Sequence, residues 1–156
     1  MKIVHGSDWH GHFRPVPEAD LYVFTGDMLE NYPKIVREGV SQPFQTPYRH
    51  WAIVPSHEVK MQSEWVRKFV DRGGMRRFLG SPDAPVVCVR GNHDFIDMKD
   101  LYAGCNVTEF IDNELVEIAG MKITGHRGIP FIYGSWHDEV WNPTLLAMVA
   151  ALPDAA

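Results

Sequence analysis

The sequence predicts an α/β fold in which a parallel sheet is flanked by helices and a second sheet packs against the first. Three observations carry this expectation. Ile3 to His5, Leu21 to Thr25 and Val86 to Val89 are β-rich apolar runs without alternation, the pattern of strands covered on both faces. The stretch between the second and third runs is rich in helix formers. Beyond Val107 the texture changes to short strands joined by tight turns.

Taken in order, the first two strands are followed by a long segment, Asn31 to Pro55, carrying Pro33, Pro43, Pro47 and Pro55 among Phe44, Tyr48, Arg49, His50 and Trp51. It leaves the strand end that presents Asp27, so it is expected either to act as a substrate lid or to pin itself to the body through its aromatics. The next stretch, His57 to Leu79, reads as the crossover helix of a βαβ unit. Ser56 is its expected N-cap, Val59, Val66, Phe69 and Val70 form its apolar face, and Gly73-Gly74 interrupts it. Arg72, Arg76 and Arg77 at its end read as a solvated patch set favourably against the helix dipole. Val107 to Ile111, Glu114 to Ala119 and Met121 to Thr124 are expected to begin an antiparallel sheet, with a hairpin turn at Gly120. Asn142-Pro143 opens a final helix with Leu145, Leu146, Met148 and Val149 on its apolar side.

A chain of 156 residues with 45% hydrophobic content suits one domain, spanning 1–156, with a real core. Its net charge of −5 gives no nucleic-acid signal, although bound divalent cations would reverse the sign a phosphate meets. Cys88 and Cys105 lack zinc-ligand or redox spacing and read as reduced thiols. No run reaches the roughly 20 apolar residues of a membrane span, and Met1 leads directly into a strand without a signal-peptide pattern. A cytoplasmic protein without membrane partners is the expectation.

Three motifs stand just after the three apolar runs: Asp8-Trp9-His10, Gly26-Asp27 and Gly91-Asn92-His93-Asp94. In an open α/β sheet, strand ends of this kind gather ligand-binding groups. Asp8 and Asp27 offer hard anionic oxygens, His10 a borderline nitrogen and Asn92 a neutral oxygen. That mixture suits Mn²⁺, Fe or Zn²⁺ better than the all-oxygen shell of Ca²⁺. On an extended segment, Asp8 and His10 would leave the same side and reach one ion. Asp-x-His and Gly-Asp are each common by chance, whereas the four-residue motif is expected in on the order of one chain in a few thousand of this length. The three in order therefore point to a metal site.

On these motifs the chain resembles the calcineurin-like metallophosphoesterases, whose signature runs Asp-x-His, then Gly-Asp-x-x-Asp or a variant, then Gly-Asn-His-Asp or Glu. The resemblance spans essentially the whole chain. It implies a two-sheet sandwich flanked by helices (α/β/β/α) and a phosphatase-type hydrolase that cleaves a phosphomonoester or phosphodiester with hydroxide activated by two divalent metal ions, Mn²⁺ first, Fe or Zn²⁺ otherwise. It further implies that Asp8 and His10 bind the first ion, Asp27 bridges both and Asn92 binds the second. His93 would be the general acid and Glu30 the residue that orients it and favours its protonated form.

The chain also departs from the pattern. Glu30 is one methylene longer than the common Asp, and the arginine that many phosphoprotein phosphatases carry next is Asn31, which argues against a protein phosphatase. The family's later histidine-bearing strand and Gly-His-x-His have no counterpart before Ala156. The resemblance thus implies a C-terminally incomplete domain lacking its last strands and three histidine ligands. His126 and His137 are the candidate substitutes, and His12 the nearest further contact for phosphate. The alternative to an enzyme is an impaired or split half, acting by self-association at an exposed sheet edge or with a companion polypeptide that supplies the histidines.

Overall fold

In the computed structural model the described residues are 1–32, 34–35, 51–52, 54–110, 114–126, 129–130 and 139–140. Four strands make one parallel sheet in the order β1 (Ile3–Gly6), β2 (Leu21–Thr25), β5 (Val86–Val89) and β6 (Val107–Phe110). Between β2 and β5 lie a two-residue antiparallel pair, β3 (Lys34–Ile35) with β4 (Trp51–Ala52), and helix α1 (Pro55–Val70). Helix α2 (Met98–Leu101) connects β5 to β6. A hairpin follows, β7 (Glu114–Ile118) with β8 (Met121–Gly125), and then the short parallel pair β9 (Ile129–Pro130) and β10 (Glu139–Val140).

Strand alternation assigns the two faces of the sheet. Tyr22, Phe24, Val86 and Cys88 point into the core that α1 and α2 cover, together with Val66, Phe69, Met98 and Leu101. Leu21 and Val87, joined by Val23 and Val89, point the other way and meet Val116, Ile118, Met121 and Ile123 of the hairpin. The hairpin therefore forms the layer packed on the sheet, as the two-sheet expectation required. Its tight turn is Ala119-Gly120, both at positive φ (52° and 75°), the conformation whose twist suits a two-residue connection.

Two expectations are corrected and one is met. Residues 107–110 do not begin the antiparallel sheet; they pair in parallel with β5 as an outer strand of the first one. The helix breaks where Gly73-Gly74 was expected to interrupt it: both take positive φ (100° and 54°) after α1, and Met75–Phe78 continue only as a 3₁₀ turn. Ser56 is not the N-cap. Pro55 occupies the first turn after Val54, which provides no side-chain cap, and a proline there gives up only an N–H that would have no helical partner.

The buried stripe of α1 is Glu58, Gln62, Val66 and Phe69, at spacings of four, four and three. Val59 is 41% exposed, so the expected apolar face is rotated, with polar residues on its first two turns. The final helix, the interior of the 31–55 segment and His137 lie outside the described residues.

Phe69→Ala is accordingly expected to cost about 3–5 kcal/mol of unfolding free energy, whereas Val59→Ala should cost less than about 1 kcal/mol. Urea denaturation of the two variants checks the rotation of the stripe.

Candidate metal centre

Three loops leave the carboxyl ends of β1, β2 and β5, and backbone hydrogen bonds sew the first two together past the strand ends. Asp8 N–H donates to Gly26 O (3.1 Å), His10 N–H to Asp27 O (2.9 Å) and Gly11 N–H to Met28 O (2.8 Å). The first loop is not the extended segment its spacing suggested. Asp8, His10 and Asp27 all adopt the left-handed conformation, with φ of 56°, 44° and 53°. Non-glycine residues pay on the order of 1 kcal/mol each for that conformation, and its concentration at three adjacent positions marks a site the surrounding structure enforces.

The third loop is locked to the second by one buried carboxylate. Asp94 is fully buried, and its Oδ1 accepts from Met28 N–H (2.9 Å) and Leu29 N–H (2.8 Å) while Oδ2 accepts from Gly91 N–H (3.0 Å). Burial pushes its carboxyl up to about 6, against the pull of those N–H bonds. The approach is close enough to exclude side chains. A Cβ on Gly26 would lie 2.6 Å from Gly91 Cα, and one on Gly91 would lie 2.1 Å from Asp27 Oδ1.

The result is convergence. One donor atom from each of Asp8, His10 and Asp27 lies within 4.8 Å of the other two. Three donors held tetrahedrally by one ion at about 2.1 Å are about 3.4 Å apart, so a closure of up to about 1.4 Å brings these three into one shell. Two carboxylates and an imidazole form a donor set that fits a divalent transition metal. Ser7 Oγ donates to Asp8 Oδ2 (2.5 Å), and His93 N–H donates to Asp27 Oδ1 (3.0 Å), so both carboxylates are oriented from behind. Asn92 is half-buried between Gly91 and His93, on the loop that touches Asp27.

His93 stands beside the cluster, its ring edge-on to His10 at 4.7 Å between centroids. Burial lowers its pKa, opposed by the Asp27 carboxylate, assisted by His10 and opposed again by Asp8. The residue facing its Nδ1 is Asn31, through Oδ1, where the sequence expectation put Glu30. Asn31 Nδ2 donates to His93 O (3.1 Å) and Glu58 Oε2 (3.4 Å). With the amide hydrogens so used, Oδ1 is the acceptor and the Nδ1–H tautomer of His93 follows. Glu30 is exposed and its carboxylate accepts from the Tyr32 hydroxyl, whose pKa is raised to about 12 by burial first and then by Glu30 and Glu58.

Behind these groups stands the polar half of the α1 stripe. Glu58 Oε2 accepts from Tyr32 N–H (2.8 Å). Gln62 donates to His93 O (2.7 Å) and Glu30 O (3.2 Å) and accepts from Phe95 N–H (2.8 Å). The sequence reading missed Asn31, Glu58, Gln62 and the clamp role of Asp94. A polar pair at i and i+4 on the line that continues through Val66 and Phe69 was the available signal. His12 is exposed, His5 Nε2 meets Thr25 Oγ1 (2.8 Å), and His126 closes β8 outside the three-residue cluster.

No helix among the described residues is long and apolar enough to cross a membrane. A family model for calcineurin-like phosphoesterase matches residues 1–145. No curated protein sequence matches the chain.

Removing Asp94 leaves three buried N–H groups without acceptors, at about 1–3 kcal/mol each. Asp94→Ala should therefore lose about 3 kcal/mol or more, and Asp94→Asn, which keeps one acceptor oxygen, less; denaturant titration measures both. Gly91→Ala must displace Asp27 and should weaken Mn²⁺ binding at least tenfold by calorimetry.

Proposed function

The chain belongs to the calcineurin-like phosphoesterase family, and from that premise we propose that it hydrolyses a phosphomonoester or phosphodiester at the Asp8, His10 and Asp27 centre. The observation that carries this reading is the convergence of those three donors within 4.8 Å at the strand ends. Asp8 and His10 would hold one divalent ion, Asp27 would serve two, and Asn92 would contribute to the second. Mn²⁺ is the first choice for this donor set, with Fe or Zn²⁺ as alternatives. Such ions lower the pKa of bound water and neutralise charge growing on phosphoryl oxygens.

The chain's own residues supply position and a proton. His93 presents Nε2 to the leaving group because Nδ1–H is engaged by Asn31, and it acts as the general acid. Asn31 is the positioning residue in place of Glu30. It fixes the ring and its tautomer but carries no charge to favour the protonated form. Glu58 fixes Asn31 in turn. This arrangement departs from a simple acid–histidine pair, so the acidity of His93 is set by the centre itself.

A second reading rests on the donor count. Among the described residues the cluster has one histidine, whereas the family resemblance calls for three more. A companion segment supplying them would complete the second ion's shell. The metal stoichiometry separates the readings: two Mn²⁺ per chain means the chain is sufficient, and one means donors come from elsewhere.

Purified protein with Mn²⁺ is expected to hydrolyse an aryl phosphate ester, and Asp27→Asn and His93→Ala should each reduce kcat by about 10²-fold or more. Asn31→Ala should lower kcat with little change in KM. Absence of hydrolysis with Mn²⁺, Fe²⁺ and Zn²⁺ alike, in protein that binds two ions, would refute the enzymatic reading.

A further inference from the structure

We infer that a groove on the α1 side of the centre, lined by Gly11, Phe13, Trp65, Lys68, Arg72 and Arg77, binds a nucleoside phosphate. The groove holds about 340 Å³, the small end of the range of about 300–1,000 Å³ for small-molecule clefts, a size that suits a single nucleotide.

The floor is aromatic. Trp65 stacks on Phe69 at 4.8 Å and 14°, Phe69 stacks on Phe78 at 5.9 Å and 2°, and Phe13 tilts against Phe69 at 5.0 Å. Phe69 is buried, while Phe13 and Trp65 are only half-buried and keep ring surface open to a ligand. The rim is cationic. The Arg77 guanidinium lies 4.6 Å from the Phe78 ring centre and 5.3 Å from that of Phe69, and it donates to Arg72 O (3.1 Å), so its charge is held over the aromatic floor.

This rim gathers three cations that form no ion pair with the described residues. Arg76 pairs with Asp83, and the N-terminus with Asp20. Lys68, Arg72 and Arg77 have no such partner there and are exposed. The basic patch that the sequence presented as one feature is thus two: Arg76 ties the 3₁₀ turn to the Pro82 and Gly104 carbonyls, and Arg72 and Arg77 line the groove. In a chain of net charge −5, three exposed cations around an aromatic surface attract a ligand that carries both phosphate and a flat ring. Inorganic phosphate would use only the rim and a neutral ring only the floor.

The groove adjoins the loop that carries the centre. Gly11 lines it and directly follows His10 in the chain. It takes φ of +77°, and a Cβ there would lie 3.3 Å from Glu30 Cβ and 3.7 Å from Trp65. The absent side chain keeps this junction open. The groove therefore recognises the portion of the substrate that does not react; this role rests on the phosphoesterase reading, while the binding itself does not.

The test is calorimetric titration of the full chain in EDTA with ADP, alongside inorganic phosphate and adenosine. ADP should bind at least tenfold more tightly than either fragment, and the double variant Lys68→Glu, Arg72→Glu should weaken it at least tenfold with unchanged circular dichroism. If that variant misfolds, raising salt from 50 to 500 mM on the wild type replaces it, and ADP affinity must fall. ADP binding no tighter than phosphate, or insensitive to both charge reversal and salt, overturns the inference. Failure of the phosphoesterase reading looks different: ADP still binds, but no ester is hydrolysed when Mn²⁺ is supplied.

Discussion

The buried carboxylate of Asp94 is the constraint on which the centre depends. It accepts three backbone N–H groups drawn from two loops that the parallel sheet only brings near each other. Hydrogen bonds to a charged acceptor contribute about 1.5–3 kcal/mol each, which opposes without cancelling the burial that raises its pKa. Once these loops are joined, Gly26 and Gly91 are in van der Waals contact and the Asp27 carboxylate has no room except between Gly91 and the His93 N–H. The first loop is then placed by extending the β1–β2 pairing beyond the strand ends. Three residues forced into left-handed conformations are the cost, and they are the three that carry the donors.

Helix α1 joins stability to site architecture through one stripe. Its carboxyl half enters the apolar core through Val66 and Phe69, while Glu58 and Gln62 in its amino half hold the backbone around Asn31, Tyr32, His93 and Phe95. The helix cannot be repacked without disturbing the groups that set the His93 ring. The fully buried Glu58 commits one carboxylate oxygen, Oε2, to the Tyr32 N–H and the Asn31 amide, which ties its burial to the loop that sets the His93 ring.

Much of this was legible in the sequence, for identifiable reasons. The strand bounds Leu21–Thr25 and Val86–Val89 follow from continuous apolar runs, and the donor cluster from motifs placed directly after them. The membership of 107–110 in the parallel sheet was not legible, because periodicity distinguishes strand from helix but not which neighbour a strand selects. The N-terminus of α1 was misplaced because Ser56 is a good cap by type, yet Pro55 already fixes the first turn. Asn31 was read through its place in a motif, and the motif cannot say which of two adjacent side chains turns inward. That choice is made by Glu58, 27 residues later in the chain.

Function at this centre depends on Asp8, His10 and Asp27 converging to share a divalent cation. Anomalous diffraction from crystals soaked in Mn²⁺ tests it most directly. A peak within bonding distance, about 2.0–2.2 Å, of Asp8 and Asp27 oxygens and a His10 ring nitrogen is the predicted result. A peak bound elsewhere, or none at saturating Mn²⁺, would contradict it.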